Sequence, residues 1–174
     1  YLPYTPGDYL SNELVPGEPP KGVFDFNDEW VKRGVCVFEN NLGRSKFVGC
    51  RNHRMVLQMH MLFGDIETDL DGFALQSQCA QAEGMKFLVE HCRAGKFERK
   101  TGMTWWNMRD GWPVISDAVV DYYGRRKLAY EYIKRAQQDV LVMVDENGDV
   151  LAVNDRLRPA SGHATLTDAE TGRV

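Results

Sequence analysis

Residues 101–113 read TGMTWWNMRDGWP and place three tryptophans close to an arginine and an aspartate. The run MTWWNM, residues 103–108, is apolar almost throughout, which predicts a strand buried on both faces. In α/β barrels the chemistry lies where the strands end. The residues RDGWP that follow would therefore bring a group of aromatic and polar side chains to one rim: Trp106, Asn107, Arg109, Asp110 and Trp112.

This group of side chains has two interpretations. An indole offers a flat apolar face with one polar edge, which matches the C–H face and hydroxyl perimeter of a sugar ring. Asparagine and aspartate beside it can exchange hydrogen bonds with sugar hydroxyls. Alternatively, Trp105 and Trp106 fill the core and Asp110 caps the next element, because aromatic residues on strands usually serve packing. Residue spacing leaves both interpretations open.

Helical patterns flank the tryptophan-rich run. Apolar residues recur at helical spacing from Arg51, and Gly64 ends this run. A longer helix is predicted from about Leu70 to Arg93, with Asp69 as its N-cap, and residues 125–138 predict a third. The order helix, strand, helix is typical of a parallel α/β sheet. In the long helix we expect an apolar side with Phe73, Ala80, Phe87, Leu88 and Cys92, and a polar side with Gln76, Gln78 and Gln81.

The two ends of the chain have a different character. Residues 1–22 hold five of the seven prolines, so residues 1–50 are expected to be irregular and rich in loops. After Asp139, two short apolar runs surround Asn147-Gly148, the strongest short hairpin signal. Residues 161–171 predict one more strand and a turn. We therefore expect an antiparallel β domain to begin near Asp139.

Composition limits the partners. The chain has 174 residues and a formal net charge of -4, which fits one globular domain or parts of two. A mildly acidic balance gives no reason to expect nucleic acid, and no apolar run suggests a membrane partner.

Neither the cysteines nor the histidines predict a metal site. The four cysteines fit no CxxC or zinc spacing, and Cys79 and Cys92 lie roughly 20 Å apart on one predicted helix. A Cys36–Cys50 disulfide stays open, but reduced, buried thiols are the simpler expectation. His53 and His60 share a helical face without a third ligand. We expect neither a metal nor a cofactor.

The stretch GMTWWNMRDGWPVISDAVVDYYGRRKLAYEYIKR, residues 102–135, resembles the last strand and last helix of the catalytic barrel in glycoside hydrolase family 2. The resemblance is closest to the β-mannosidase-like branch. The upstream SQCAQAEGMKFLVEHCR is similar to the preceding helix of that barrel, and VLVMVDENGDVLAVND to the opening of the β-sandwich behind it. The match covers about residues 55–174 and is most specific over 101–137.

The resemblance implies a fold and a reaction. The fold is α/β, with residues 1–138 as the C-terminal portion of a (β/α)8 TIM barrel and residues 139–174 as the beginning of an immunoglobulin-like β-sandwich. The reaction is the retaining hydrolysis of terminal β-linked sugars, with β-mannoside ahead of β-galactoside or β-glucuronide. The implied partners are a carbohydrate substrate and an N-terminal part of the same polypeptide that precedes Tyr1.

The resemblance also assigns substrate-binding residues. Trp106 matches the tryptophan that floors the sugar subsite, and Asn107 takes the polar position next to it. Asp110 matches the aspartate that closes the motif, and Trp112 with Pro113 matches its WP pair. Arg109 departs from the asparagine common at this position in β-mannosidases, which leaves the sugar open.

The two catalytic carboxylates of such an enzyme are not evident in the sequence. A retaining glycosidase needs an acid/base and a nucleophile about 5–5.5 Å apart. Glu39, after the apolar run VCVF, is a weak candidate for the nucleophile, and Glu13 in SNEL is weaker. We expect both carboxylates to lie outside the chain and the isolated chain to be inactive and poorly stable.

Two functions from other classes remain. A non-catalytic carbohydrate-binding module would use the tryptophans as a platform, although such modules are usually all-β. A purely structural α/β domain would bury Trp106 with no cavity over it. A cleft at Trp106 that is open to solvent would separate this last interpretation from the other two.

Overall fold

The computed structural model describes residues 51–67, 70–114, 116–145 and 147–174. Three helices come first, namely α1 (Arg51–Phe63), α2 (Leu70–Ala94) and α3 (Leu128–Ala136). A hairpin of β1 (Val140–Val144) and β2 (Val150–Asn154) follows. The predicted positions of all three helices and of the hairpin are confirmed to within a few residues. Asp69, the expected N-cap, lies outside the described residues.

Helices α1 and α2 are neighbours, and Gln76 of α2 also bonds to the residues between them. Met59 of α1 and Phe73 of α2 are buried. Gly64 ends α1 with a positive φ of 76°, and its N–H donates to the carbonyl of His60 at 2.8 Å. Glycine adopts this left-handed conformation without the steric cost that a Cβ brings, which is why the helix stops here.

The main core lies between α2 and α3. Ala82 and Met85 of α2 pack with Ala129 and Ile133 of α3, and Val119 from the connecting segment completes the cluster. Partly buried side chains close its edges: Trp105, Val120, Leu128, Tyr130 and Tyr132. Small alanines on both helices permit the close approach, and the larger side chains bury the apolar surface that stabilises the pair.

The buried face of α2 differs from the expected one. Phe73, Ala82, Met85 and Val89 are buried, whereas Phe87 is exposed and stacks on His91 with ring centroids 5.7 Å apart. The prediction that Phe87 lies on the apolar side of the helix was therefore wrong. The helix packs against two other elements along its length, and this moves the buried stripe away from the one that its largest apolar residues suggest.

The glutamines of α2 are also not a solvated face. The Gln76 side chain holds the residues that precede the helix. It accepts from the N–H of Glu67 and donates to the carbonyl of Asp65. Gln78 accepts from the N–H of Leu128 at 3.0 Å, and Gln81 donates to the carbonyl of Asp117 at 2.6 Å. Gln78 and Gln81 therefore join α2 to α3 and the segment that leads into it, whereas Gln76 joins α2 to the residues that precede it.

The expected strand over residues 103–108 is not formed. Pairing in this region is limited, within the described part of the chain, to single bridges between Arg109 and Val120 and between Val120 and Arg126. The expectation of burial on both faces was wrong as well, because exposed and half-buried residues alternate here. A strand is held by hydrogen bonds to a neighbour, and the described residues provide residues 103–106 with no such neighbour.

The C-terminal hairpin has the expected turn. Its register pairs Val140 with Asn154 and Met143 with Leu151. Gly148 has a φ of +86°, and the Asp145 carboxylate accepts from the N–H groups of Asn147 and Asp149. These hydrogen bonds, that from Asp149 first, lower the pKa of Asp145 below its ordinary value.

The further strand expected within residues 161–171 is absent from the described structure. This segment is exposed and holds a turn in which the Asp168 carboxylate accepts from the hydroxyl and N–H of Thr171. Its apolar residues have no partner strand to pack against.

Cys79 and Cys92 are free thiols and half-buried rather than fully buried. No helix among the described residues has the length and apolar character to cross a membrane.

Candidate functional site

The rim segment, residues 106–112, is held by backbone hydrogen bonds to residues 119–120. The carbonyls of Asn107 and Met108 accept from the N–H groups of Val119 and Val120 at 3.2 and 2.9 Å. The N–H of Asp110 donates back to the carbonyl of Val120 at 3.1 Å. This short parallel pairing fixes the backbone of the rim segment, so the directions of its side chains are set by its register.

The two adjacent tryptophans have opposite environments. Trp105 packs against the core cluster between α2 and α3. Trp106 is 74% exposed and Trp112 is 51% exposed. The core-filling interpretation therefore holds for Trp105 and fails for Trp106. A purely structural domain predicts a buried Trp106, and the exposed indole does not fit that prediction.

Asp110 is held by residues that follow the rim segment in the chain, namely Ser116 and Lys127. Asp110 is only 5% exposed, and its carboxylate Oδ1 accepts a hydrogen bond from the Ser116 hydroxyl. Ser116 Oγ in turn accepts from the N–H of Ala118 at 3.0 Å. Lys127 Nζ lies 3.5 Å from Asp110 Oδ2, an ion-pair distance longer than an ordinary hydrogen bond. Contact of Asp110 with a sugar stays a prediction, and its Oδ2, like Asn107 Oδ1, is buried without a hydrogen-bond partner among the described residues.

Asn107 has an amide oxygen that is not yet used. Its Oδ1 is buried and finds no hydrogen-bond donor among the residues described. A buried acceptor without a donor loses free energy, commonly about 1–3 kcal/mol. A hydroxyl group of a bound ligand would supply the missing donor.

Arg109 and two tyrosines continue the exposed surface. Arg109 Nη2 donates to the carbonyl of Tyr122 at 2.9 Å. Tyr122 and Tyr123 form an edge-to-face pair with centroids 5.3 Å apart, and both rings are exposed. A turn closed by Gly124, with a φ of +82°, presents this pair.

The remaining candidates are not brought to this site. Glu13 and Glu39 lie outside the described residues, as does the side chain of His53, and His60 is exposed on α1. Among the residues that the structure describes, no group of three or more histidine, cysteine, aspartate or glutamate side chains could hold a metal ion.

Ser116 and Lys127 lie within the stretch that resembles glycoside hydrolase family 2, but the sequence assigned neither of them a role in the site. One signal was available: a lysine at a helix N-terminus lies at the positive end of the helix dipole, which is unfavourable without an anionic partner.

Known proteins resemble this chain over part of its length. β-Mannosidase B of Aspergillus niger is 38% identical over an alignment of 126 positions that covers 61% of this chain and 15% of the fungal protein. β-Mannosidase B of Aspergillus oryzae is 35% identical over 79 residues, covering 44% of this chain and 9% of the relative. The crystal structure of a β-D-mannosidase from Dictyoglomus thermophilum matches with a TM-score of 0.57 and 33% identity, over 63% of this chain and 14% of that one.

The chain therefore spans a small part of the length of the curated relatives that it matches. No protein-family model matches the sequence.

Proposed function

We propose, from the relationship of this chain to β-mannosidase-like proteins of glycoside hydrolase family 2 over part of its length, that it carries one wall of a sugar-binding subsite. The resemblance noted in the sequence is confirmed to that extent. The parent protein would be a retaining exo-β-glycosidase that removes terminal β-linked sugars. A β-mannoside is the favoured substrate because the relatives are named β-mannosidases, while β-galactoside and β-glucuronide stay open through Arg109.

The observation that carries this proposal is the exposed indole of Trp106 on an anchored backbone. Exposing an indole to water leaves a large apolar surface uncovered, which a sugar C–H face would cover. Asn107 next to it has an oxygen in need of a donor, and sugar hydroxyls are donors. Trp112, half-exposed in the same segment, provides a second aromatic surface.

Asp110 takes a supporting place in this subsite. Its carboxylate is bound to Ser116 and lies near Lys127, so it holds the rim segment in register while the neighbouring side chains face solvent. A direct hydrogen bond from a sugar to Asp110 Oδ2 would require the Lys127 ammonium or the rim segment to move.

The domain assignment follows the same relationship. We propose that residues 1–138 belong to the C-terminal part of a TIM barrel and residues 139–174 to the start of an immunoglobulin-like β-sandwich. Three helices and the C-terminal hairpin support this assignment, whereas the barrel strand predicted over residues 103–108 is not formed among the described residues. The acid/base and the nucleophile would come from other parts of the parent protein, about 5–5.5 Å apart at the barrel rim.

The experiment that tests the proposal compares Trp106→Ala with Trp106→Phe in the full-length enzyme. Loss of the aromatic face should reduce kcat/KM for a nitrophenyl β-mannoside about tenfold, since tenfold corresponds to about 1.4 kcal/mol. Phenylalanine should retain most of the activity. Leu157→Ala, which removes another exposed apolar side chain from the region after β2, is the control. An unchanged kcat/KM in Trp106→Ala would contradict the proposal.

A non-catalytic carbohydrate-binding module is the rival that exposed tryptophans also allow. The pair α2 and α3 packed behind the rim segment argues against it, because such modules are usually all-β sandwiches. Binding of mannosides by a full-length protein that does not hydrolyse them would favour this rival.

A further inference from the structure

Lys127 occupies a position where a lysine is locally unfavourable. It is the N-cap of α3, with φ -78° and ψ 164°, and its side chain makes no capping hydrogen bond. Ser, Thr, Asp and Asn are preferred at such positions, and the positive end of the helix dipole disfavours a cation there. Residues that break a local rule without local benefit are often found at functional sites.

The capping task at α3 is performed by another helix. Gln78 Oε1 of α2 accepts from the N–H of Leu128 at 3.0 Å. A side chain distant in sequence thus satisfies the first of the free N–H groups of α3, while the side chain at position 127 takes no part in capping. That side chain is therefore available for another contact.

The Lys127 side chain is directed toward the rim segment. Its Nζ donates to the carbonyl of Ser116 at 3.0 Å and lies 3.5 Å from Asp110 Oδ2. The Asp110 side chain is 2% exposed and that of Lys127 is 18% exposed. A carboxylate buried to this extent requires a cation or several hydrogen bonds nearby, because the loss of hydration is not otherwise compensated.

Lys127 also holds the neighbouring backbone. Its N–H donates to the carbonyl of Val119 at 2.9 Å, in the stretch that pairs with the rim segment. One residue thus contacts Asp110 in the rim segment, Ser116 in the following loop and Val119 in the pairing stretch. A change at this residue acts on all three.

We propose that Lys127 is a positioning residue of the sugar subsite, which acts through Asp110 to hold the rim segment so that Trp106, Asn107 and Trp112 face the sugar. This inference rests on the proposed function. The exposed indole of Trp106 has little packing of its own, so its position depends on the backbone beneath it. A displacement of about 1 Å in a site can reduce activity by roughly a hundredfold.

A lysine fits this task better than a neutral residue. The compact ammonium has three donors on a flexible stem, which allows contact with the Ser116 carbonyl and the Asp110 carboxylate together. Arginine carries the same charge with a larger head, and a methionine of similar length carries none. These differences define the variants that separate charge from shape.

The test uses the full-length enzyme with Lys127→Met, Lys127→Arg and the double variant Asp110→Asn/Lys127→Met. The control is Lys134→Met, an exposed lysine on the same helix. Lys127→Met should lower kcat/KM for a nitrophenyl β-mannoside by about ten- to a hundredfold, mainly through a higher KM. Lys127→Arg should retain activity within about threefold, and Lys134→Met should match the wild type.

The double variant separates positioning from simple charge balance. It leaves no unpaired charge in the interior, so its Tm should return close to that of the wild type, while kcat/KM stays low. Recovery of both Tm and kcat/KM would overturn the proposal, as would a normal KM in Lys127→Met. If Lys127→Met does not fold, the double variant alone decides by the same criterion.

Failure of the proposed function would look different. A wild-type enzyme without glycosidase activity refutes the proposed function itself. Amide hydrogen exchange of the 174-residue chain without sugar then tests the positioning: residues 106–112 should exchange faster in Lys127→Met than in Lys134→Met, and equal exchange would overturn the inference.

Discussion

Arg93 near the end of α2 and Asp155 just after β2 form an ion pair, with Nη2 and Oδ2 separated by 3.1 Å. Lys96 contacts the other carboxylate oxygen. Arg93 Nη1 also donates to the carbonyl of Ala136 at 2.5 Å, and this carbonyl belongs to the last residue of α3. One guanidinium thus connects α2, the C-terminus of α3 and the hairpin, so the three elements meet at a polar junction.

This junction should lose stability in acid. The hydrogen bond from Lys96, together with the charge of Arg93, lowers the pKa of Asp155 below its ordinary value. A carboxylate with a lowered folded-state pKa stabilises the fold above its unfolded-state pKa, and this contribution is lost as pH falls through the folded-state pKa. Asp155→Asn should cost about 1 kcal/mol or less at pH 7, because the pair is partly exposed.

Urea denaturation of the wild type and Asp155→Asn at neutral pH and below the ordinary aspartate pKa measures this contribution. The difference between the two proteins should shrink in acid. The control is Asp139→Asn, because Asp139 pairs with Arg156 at 3.5 Å and is the more exposed carboxylate. A difference that stays constant with pH would assign the effect to something other than the carboxylate charge.

The two adjacent tryptophans should respond in opposite ways to truncation. Trp105→Ala should destabilise the fold by about 2–4 kcal/mol, because it removes a partly buried indole from the core cluster. Trp106→Ala should change stability by about 0.5 kcal/mol or less, because this side chain is exposed. Thermal unfolding of both variants measures the difference. Equal destabilisation would contradict the division between a packing and a surface indole.

The capping of α3 by α2 is testable at Gln78. Gln78→Ala leaves the N–H of Leu128 without its acceptor and should cost about 1 kcal/mol. Glu83→Ala on an exposed position of the same helix is the comparison, and it should be nearly neutral. Denaturant midpoints give both values, and a neutral Gln78→Ala would show that water replaces the amide at no cost.

The isolated chain should not hydrolyse glycosides. Neither of the proposed carboxylates is identified within it, and retaining hydrolysis requires both. Incubation of the purified 174-residue chain with a nitrophenyl β-mannoside should release no nitrophenol above background. Turnover that is lost in Glu39→Gln would instead place the nucleophile within this chain.

The helices illustrate what local patterns can predict. Gly64 marks the end of α1, and Asn147-Gly148 marks the hairpin turn, because both glycines adopt the positive φ that other residues avoid. The strand expected at residues 103–108 did not form, because a strand depends on residues that are distant in the sequence. Its hydrogen bonds require a neighbouring strand, and apolar composition carries no information on whether one is present.

The site divides in the same way. The sequence alone shows the residue types at Trp106 and Asn107 and the family resemblance of the segment that contains them. The matches to β-mannosidases confirm this resemblance over part of the chain. Only the tertiary structure decided three other features. Trp105 packs inward, Gln78 serves as a cap for α3, and Lys127 lies against Asp110. Local propensity acts between residues a few positions apart, whereas these contacts join residues separated by many positions, and their energies arise only when the core between α2 and α3 brings them together.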